Sequence, residues 1–232
     1  MQFKALALAG LAGTIAADSF KQLLDEALGL VQGSSDEMAR SVTQDDMGLI
    51  NQYGCWCYFQ SDHGSGRGAP VDGIDQLCKR LHDGYTCAIM DSKEQGDACV
   101  PWEISYNSAL GSGLVLGMTI DTIRAECDAQ NPVDNCANWT CKVEGYFVTQ
   151  LVLFFTSGGL INHDMRHDNG FDLAGNCPTG TGVQSERACC DEYPLRFPYK
   201  TYGGARQCCV ANTYDAALYS CCMPSGSIRV TC

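Results

Sequence analysis

Basic side chains are scarce in this chain of 232 residues. It carries 15 lysines and arginines against 27 aspartates and glutamates, which leaves a net charge of −12 at pH 7. A surface of this sign repels nucleic acid and anionic lipid. We therefore expect no nucleic-acid partner, whereas divalent cations remain compatible with the charge.

The interior of the chain also lacks an apolar run of membrane-spanning length. The run "GYFVTQLVLFFT" at residues 145–156 is shorter than the roughly 20 residues that a bilayer requires, so no transmembrane span is predicted. Residues 1–17 place Lys4 before an apolar stretch that ends in small residues, which is the layout of a secretory signal peptide. A buried N-terminal helix is the alternative for that segment.

Cysteine, in contrast, is abundant, with 16 in the chain. An even number behind an export signal indicates a disulfide framework in a secreted, extracellular protein. Half of the cysteines lie between residues 55 and 141 and half between residues 177 and 232, and each block could close on itself. The second block is too short to bury a core and is predicted to be a small disulfide-rich module of strands and turns.

Three segments have helical periodicity. The first, residues 19–32, is amphipathic and would end at Gly33. The second covers residues 73–90 and the third about residues 135–155. Glu144 falls on the apolar face of the third helix, where a buried acid needs a partner.

Ordered motifs connect the chain to a known family. The stretches "YGCWC" at 53–57 and "GRGAPVD" at 66–72, followed by Asp75, Cys78 and "HD" at 82–83, resemble the signature of secreted phospholipase A2, YGCYCGxGGxGxPxDxxDxCCxxHDxCY. Downstream, "CANWTCKVE" at 136–144 resembles the second long helix of that family. The resemblance covers roughly residues 50–150, under half of the chain.

The resemblance implies a mainly α fold, with two long antiparallel helices linked by disulfides and a calcium loop. It implies that His82 is the catalytic base and that Glu144, in the place of the family's aspartate, orients it. The metal would be Ca²⁺, which favours oxygen ligands, held by Asp83 and by the backbone at Trp56, Tyr58 and Ser65. The substrate would be the sn-2 ester of a phospholipid in a neutral or zwitterionic surface rather than an anionic one.

The cysteines extend the comparison. By resemblance Cys57 pairs with Cys78, Cys99 with Cys136 and Cys127 with Cys141, which leaves Cys55 and Cys87 for each other or for the tail. Two family bridges are lost as pairs: the first cysteine of the family's CC is absent together with its mate near Gln150, and Tyr85 and Val143 stand in the places of the other two partners. The chain departs from the signature by an insertion after Tyr58 and by one extra residue between Cys78 and His82.

Several weaker candidates remain open. His163 and His167, in "HDMRHDNGFD" at 163–172, could bind zinc or calcium with nearby aspartates, or this segment is an exposed turn. Tyr106 could correspond to the family tyrosine that hydrogen-bonds the orienting acid. Asn138 lies in a glycosylation sequon. Residues of the first helix would line an acyl-chain channel or form plain core, namely Phe20, Leu23, Leu24 and Leu28.

The predicted organisation is a signal peptide over residues 1–17, an N-terminal helix and linker over 18–47, a phospholipase A2-like domain over 48–160 and a cysteine-rich module over 161–232. Two functions follow. The first is a calcium-dependent phospholipase A2 with the tail as a targeting module that binds a surface or matrix partner through residues 177–232. The second is a non-catalytic secreted matrix or binding protein on the same scaffold.

Overall fold

The computed structural model describes residues 28–33, 48–58, 66–107, 118–179 and 185–232, together with the backbone of residues 14–15. Most of the predicted N-terminal helix, with Phe20, Leu23 and Leu24, lies outside the described residues. Its end is described: residues 28–32 are helical, and the Gly33 amide donates to the carbonyl of Gly29. Leu28, at the margin of burial, and the fully buried Val31 lie in the core.

Helices dominate the first half of the described chain. They are α1 (Gly73–Gln95), α2 (Ile120–Gln130), α3 (Asn135–Thr156) and the short α4 (Leu173–Asn176). The predictions of α1 and α3 are confirmed, although α1 continues to Gln95, and α2 was not predicted. In the part of the chain that the structure describes, no helix combines the length and hydropathy needed to cross a bilayer.

The two long helices run antiparallel, as expected. Arg80 near the start of α1 donates to the hydroxyl of Tyr146 late in α3, while Asn135 at the start of α3 donates to Gln95 at the end of α1. Their starts are defined by aspartate caps, because Asp72 and Asp134 accept backbone amides of the first turn. The main core lies along this pair and includes Leu81, Phe147, Val148, Leu151 and Val152.

All sixteen cysteines form disulfides, and none is free. The three bridges that the resemblance implied, Cys57–Cys78, Cys99–Cys136 and Cys127–Cys141, are confirmed. Of the two alternatives left open for Cys55 and Cys87, pairing with the tail is confirmed, because Cys55 bonds to Cys177 and Cys87 bonds to Cys189, so the blocks do not each close on themselves. The two blocks are therefore joined covalently at two places.

The C-terminal block consists of three antiparallel hairpins. The hairpins are β3 (Arg187–Cys190) with β4 (Phe197–Lys200), β5 (Arg206–Cys209) with β6 (Asn212–Asp215), and β7 (Ser220–Cys222) with β8 (Ser227–Arg229). Strands β1 (Thr14–Ile15) and β2 (Tyr106–Asn107) pair with each other outside this block. In each adjacent cysteine pair, one cysteine bonds to an earlier residue and the other to a later one. Cys190–Cys208 and Cys209–Cys221 link the three hairpins in series, and Cys222–Cys232 ties the last hairpin to Cys232. A module of strands and turns held by bridges is what the composition predicted.

The first hairpin docks on α1 through a partly buried ion pair. Arg196 donates to both carboxylate oxygens of Asp91, at 2.6 and 2.9 Å, and the hydroxyl of Tyr193 donates to the same carboxylate at 2.8 Å. Tyr193 also stacks on Trp139 of α3 with ring centroids 5.4 Å apart. This contact continues the helical core into the module.

The sequon asparagine lies at the contact between α2 and α3. Asn138 is 9% exposed, and its Nδ2 donates to the Cys127 carbonyl at 3.2 Å and to the Asp128 carboxylate at 2.9 Å. A glycan on Nδ2 would remove donors and separate the helices. We expect folded, secreted protein to lose no mass at Asn138 when it is treated with an N-glycosidase; a glycan released from this residue would contradict the packing.

Candidate functional site

A buried carboxylate on α3 is held by two tyrosines. The hydroxyl of Tyr85 on α1 donates to Oε1 of Glu144, and the hydroxyl of Tyr106 in β2 donates to Oε2. The three residues are each less than 9% exposed. Burial, and then the charge of Glu144, raise the pKa of Tyr85 well above its usual value, so Tyr85 stays a neutral donor. The partner that a buried acid requires is thus a pair of phenols.

The hydrogen bond expected from Tyr106 to Glu144 is confirmed, whereas the bond from Tyr85 was not predicted. A signal for it was present in the sequence. Tyr85 follows His82 by three residues, and residues three apart share one face of a helix. A helical reading of α1 from His82 onward would have placed Tyr85 toward the acid.

His82 lies on the same helix at the edge of this cluster. It is 3% exposed, and its ring faces the indole of Trp56 with centroids 6.2 Å apart at a tilt of 48°. The helix places it one turn before Tyr85. The acid and the two phenols thus meet between α1, α3 and β2, and His82 is buried on α1 beside Trp56.

The register of α1 against α3 corrects one sequence assignment. A Cβ added at Gly84 would lie 2.6 and 2.7 Å from the methyl carbons of Val143. Gly84, and not Tyr85, therefore faces Val143. Glycine avoids a clash here, because a Cβ would meet the methyl groups of Val143 unless that side chain were changed as well.

The same register shows where α1 departs from the signature between Cys78 and His82. In the signature a histidine follows the bridged cysteine by three residues, and from Cys78 that count reaches Leu81, which is buried in the core. His82 and Asp83 lie one position further along α1. The number of residues from Cys78 to Tyr85 is the same as in the signature. The His-Asp dipeptide between them stands one residue later than in the signature.

The loop of residues 53–58 is organised by the carboxylate of Asp75. It accepts the backbone amides of Cys55 at 2.9 Å, Trp56 at 2.7 Å and Val71 at 2.9 Å, and Asp75 is fully buried. Burial raises the pKa of Asp75, and the three amide donors oppose that rise. Gly54, with φ of 57°, brings the backbone so close that a Cβ would lie 2.5 Å from the Asp75 carboxyl carbon.

Asp75→Ala is expected to lower the free energy of unfolding by about 2–5 kcal/mol, because three buried amides lose their acceptor. Thermal and urea unfolding with the disulfides intact measure the loss. Asp97→Ala, at an exposed position, is the matched control and should change stability by less than about 0.5 kcal/mol. Equal effects of the two substitutions would contradict the proposed role of Asp75.

Asp83 is already paired with a cation. Its carboxylate pairs with the ammonium of Lys79 on the preceding turn, and its side chain is 14% exposed. Burial raises its pKa, against the charges of Lys79 and Arg187. Asp83 lines a cleft of about 300 Å³ between α1 and the first hairpin, together with residues of the module such as Arg196.

These contacts do not suit the predicted calcium cage. Lys79 bonds to Asp83 and its Nζ lies 5.0 Å from the centroid of the Trp56 ring, so an ammonium already lies between this carboxylate and the loop. The carbonyl of Trp56 accepts the amide of Tyr58 at 2.9 Å. Ser65 lies outside the described residues. Among the residues that are described, no group of three or more acidic, histidine or cysteine side chains converges on a metal position.

The candidate metal site at residues 163–172 is a turn instead. Two 3₁₀ segments, His163–Met165 and His167–Asn169, replace the helix that would have aligned the two histidines. His163 is exposed, whereas His167 bonds through Nε2 to the carbonyl of Gly54 at 2.7 Å and stacks on Phe171. The segment 163–172 therefore packs against the 53–58 loop and holds it at Gly54.

Comparison of the chain with protein-family models, with curated proteins and with solved structures found no match. The function must therefore be argued from the residues themselves.

Proposed function

We propose that the protein is a secreted ester hydrolase of the phospholipase A2 type, with His82 as the general base and Glu144 as the residue that orients it. The observation that carries the proposal is the clamped acid: both oxygens of Glu144 accept phenol protons in a core that also holds His82. An ionised carboxylate has about four acceptor positions, so two phenols leave capacity for an imidazole N–H. Eight disulfides fit an extracellular location.

The chemistry assigned to these residues is proton transfer. His82 takes a proton from a water molecule, whose oxygen bonds to the sn-2 carbonyl carbon and forms a tetrahedral intermediate. As the intermediate collapses, the bond to the glycerol oxygen breaks and the imidazolium returns the proton to that oxygen, which releases a fatty acid and a lysophospholipid. Glu144 remains ionised and stabilises the imidazolium. The net charge of −12 favours zwitterionic over anionic lipid surfaces.

No step of this proposal is assigned to calcium, because the described donors around Asp83 do not suit the ion. The calcium dependence that the resemblance implies stays a prediction. Calcium binding at Asp83 requires that the Asp83 carboxylate separates from the ammonium of Lys79. Calcium is therefore a variable of the assay rather than a fixed ingredient.

A non-catalytic matrix or binding protein is the second candidate. The displacement of the His-Asp dipeptide favours it, because Leu81 stands where the signature has its histidine. The ion pair of Lys79 with Asp83 favours it as well. In this alternative the cluster around Glu144 is a structural remnant that holds α1, α3 and β2 together.

The test is hydrolysis of phosphatidylcholine vesicles by the purified secreted protein, in millimolar calcium and in excess chelator. Release of the sn-2 fatty acid in either condition supports the hydrolase, and the difference between the two conditions measures the role of calcium. No release in both conditions rejects the hydrolase in favour of the second candidate.

A further inference from the structure

The second hairpin of the C-terminal module carries a groove far from the Glu144 cluster in sequence. The cavity has a volume of about 440 Å³, within the range of small-ligand sites. Residues of β5, β6 and the turn before β5 line it: Tyr202, Ala205, Arg206, Thr213, Tyr214 and Asp215. The groove lies on the part of the module that projects beyond the hairpin docked on α1.

The groove is rigid although the hairpin is small. Two bridges, Cys190–Cys208 and Cys209–Cys221, tie β5 to the neighbouring hairpins. The turn that leads into β5 is closed by the amide of Arg206, which donates to the carbonyl of Thr201 at 2.9 Å. A ligand would therefore meet a preformed surface, which reduces the entropy lost on binding.

Tyr202 is held in an unusual conformation at the mouth of this groove. Its φ is 49°, in the left-handed region that side chains other than glycine and asparagine seldom adopt. The backbone amide of Tyr202 donates to Oγ of Ser185 at 2.9 Å, and its side chain is 56% exposed. The strained backbone thus presents a large aromatic ring to solvent, and strain of this kind is concentrated at functional positions.

The polar groups of the groove are oriented by their neighbours. Arg206 donates Nε to Oγ1 of Thr213 at 2.9 Å, and Tyr214 donates its hydroxyl to Gln207 at 3.0 Å. Asp215 lies directly across the ladder from Arg206. The groove therefore combines the ring of Tyr202 with one cation and one carboxylate, whereas the side chain of Tyr214 pairs with Gln207 on the other face of the ladder.

This chemistry fits a sugar ring better than other ligands. An aromatic face packs against the C–H face of a pyranose, while an arginine and an aspartate can donate to and accept from its hydroxyl groups. The balanced charge gives no attraction for phosphate or sulfate polymers, and the net charge of the protein, −12, opposes them. The lining offers no aliphatic pocket for the side chain of a docked peptide, since Ala205 is its only aliphatic member.

We propose that this groove binds pyranose units of a neutral polysaccharide, so that the C-terminal module attaches the protein to a carbohydrate matrix. The inference stands apart from the proposed hydrolase, because it uses no residue of the Glu144 cluster. It gives the C-terminal module a class of ligand and a binding site for that ligand.

The experiment measures retention of the full secreted protein on insoluble cellulose, chitin and mannan, with heparin beads as the anionic comparison. Retention on at least one neutral polymer is expected. Tyr202→Asn, which tolerates the left-handed backbone, and Arg206→Gln should each weaken it by about tenfold or more. Tyr219→Asn is the matched control, since Tyr219 is exposed on the same module but does not line the groove, and it should bind as the parent does.

Intact mass and melting temperature establish that each variant keeps its disulfides and its fold. The proposal is overturned if no neutral polymer retains the protein or if only heparin does. It is also overturned if Tyr219→Asn weakens retention as much as Tyr202→Asn, because binding would then be diffuse adsorption to exposed aromatics.

Discussion

His82→Gln is expected to lower phospholipid hydrolysis by about 10²–10⁴-fold, the usual contribution of a general base. Glutamine is close in size to the imidazole and can still hydrogen-bond, but it cannot accept and return a proton at neutral pH. The loss should appear in kcat, while the affinity for the vesicle surface stays unchanged. Initial rates of fatty-acid release over a range of lipid concentrations separate the two effects.

Two further variants show whether the loss is specific. His163→Gln removes an exposed histidine of the 163–172 turn and should leave the rate unchanged. Glu144→Gln keeps the shape of the acid but removes its charge, so it should lower the rate and also change the pH profile through the orientation of His82. Unchanged hydrolysis in His82→Gln would assign any activity to other residues and end the proposed mechanism.

A new disulfide is expected to form in the double variant Gly84→Cys with Val143→Cys. A Cβ at position 84 would lie 3.3 Å from Cβ of Val143, and disulfides require about 3.5–4.5 Å between these atoms. A shift of a few tenths of an ångström between α1 and α3 is therefore enough. The bridge should raise the melting temperature, because it ties together the two helices that form the core.

The matched control moves one cysteine by a single residue. Tyr85→Cys with Val143→Cys should leave two free thiols, because position 85 points toward Glu144, and it should lose stability as well. Thiol titration and peptide mapping distinguish the variants. A bridge in the second variant and not in the first would show that Tyr85, and not Gly84, faces Val143. His82 would then occupy the place of the histidine in the signature.

Local patterns were sufficient for much of the scaffold. Helices α1 and α3 follow from apolar spacing, because burying one face of a helix imposes a period of 3.6 residues. The bridges of Cys57, Cys99 and Cys127 followed from the resemblance, since a disulfide is kept or lost as a pair. Tyr106 was found in the same way, although its short segment has no pattern of its own.

Other features depended on contacts distant in sequence. Lys79 pairs with Asp83 from the preceding turn, and a dipeptide motif carries no information about that competition, so the role of Asp83 as a calcium ligand stays a prediction. The partners of Cys55 and Cys87 were left open because sixteen cysteines allow many connectivities; Cys87 bonds to the first hairpin through Cys189, and Cys55 bonds to Cys177 after α4. The groove at Tyr202 was not predicted, because it is created by a turn whose left-handed residue has no compositional signal.

By itself the sequence determined the class of molecule, which is an acidic, cystine-rich chain with two amphipathic helices and a disulfide-linked C-terminal module. It could do so because charge, cysteine number and periodicity are properties of the chain alone. The tertiary structure decided which residues meet. The close approach of α1 to α3 at Gly84 sets the helix register to a single residue, and that register brings Tyr85 to Glu144 and moves His82 and Asp83 one position along the helix. Registers of this kind are fixed by packing across the core, where atoms from distant parts of the chain exclude one another.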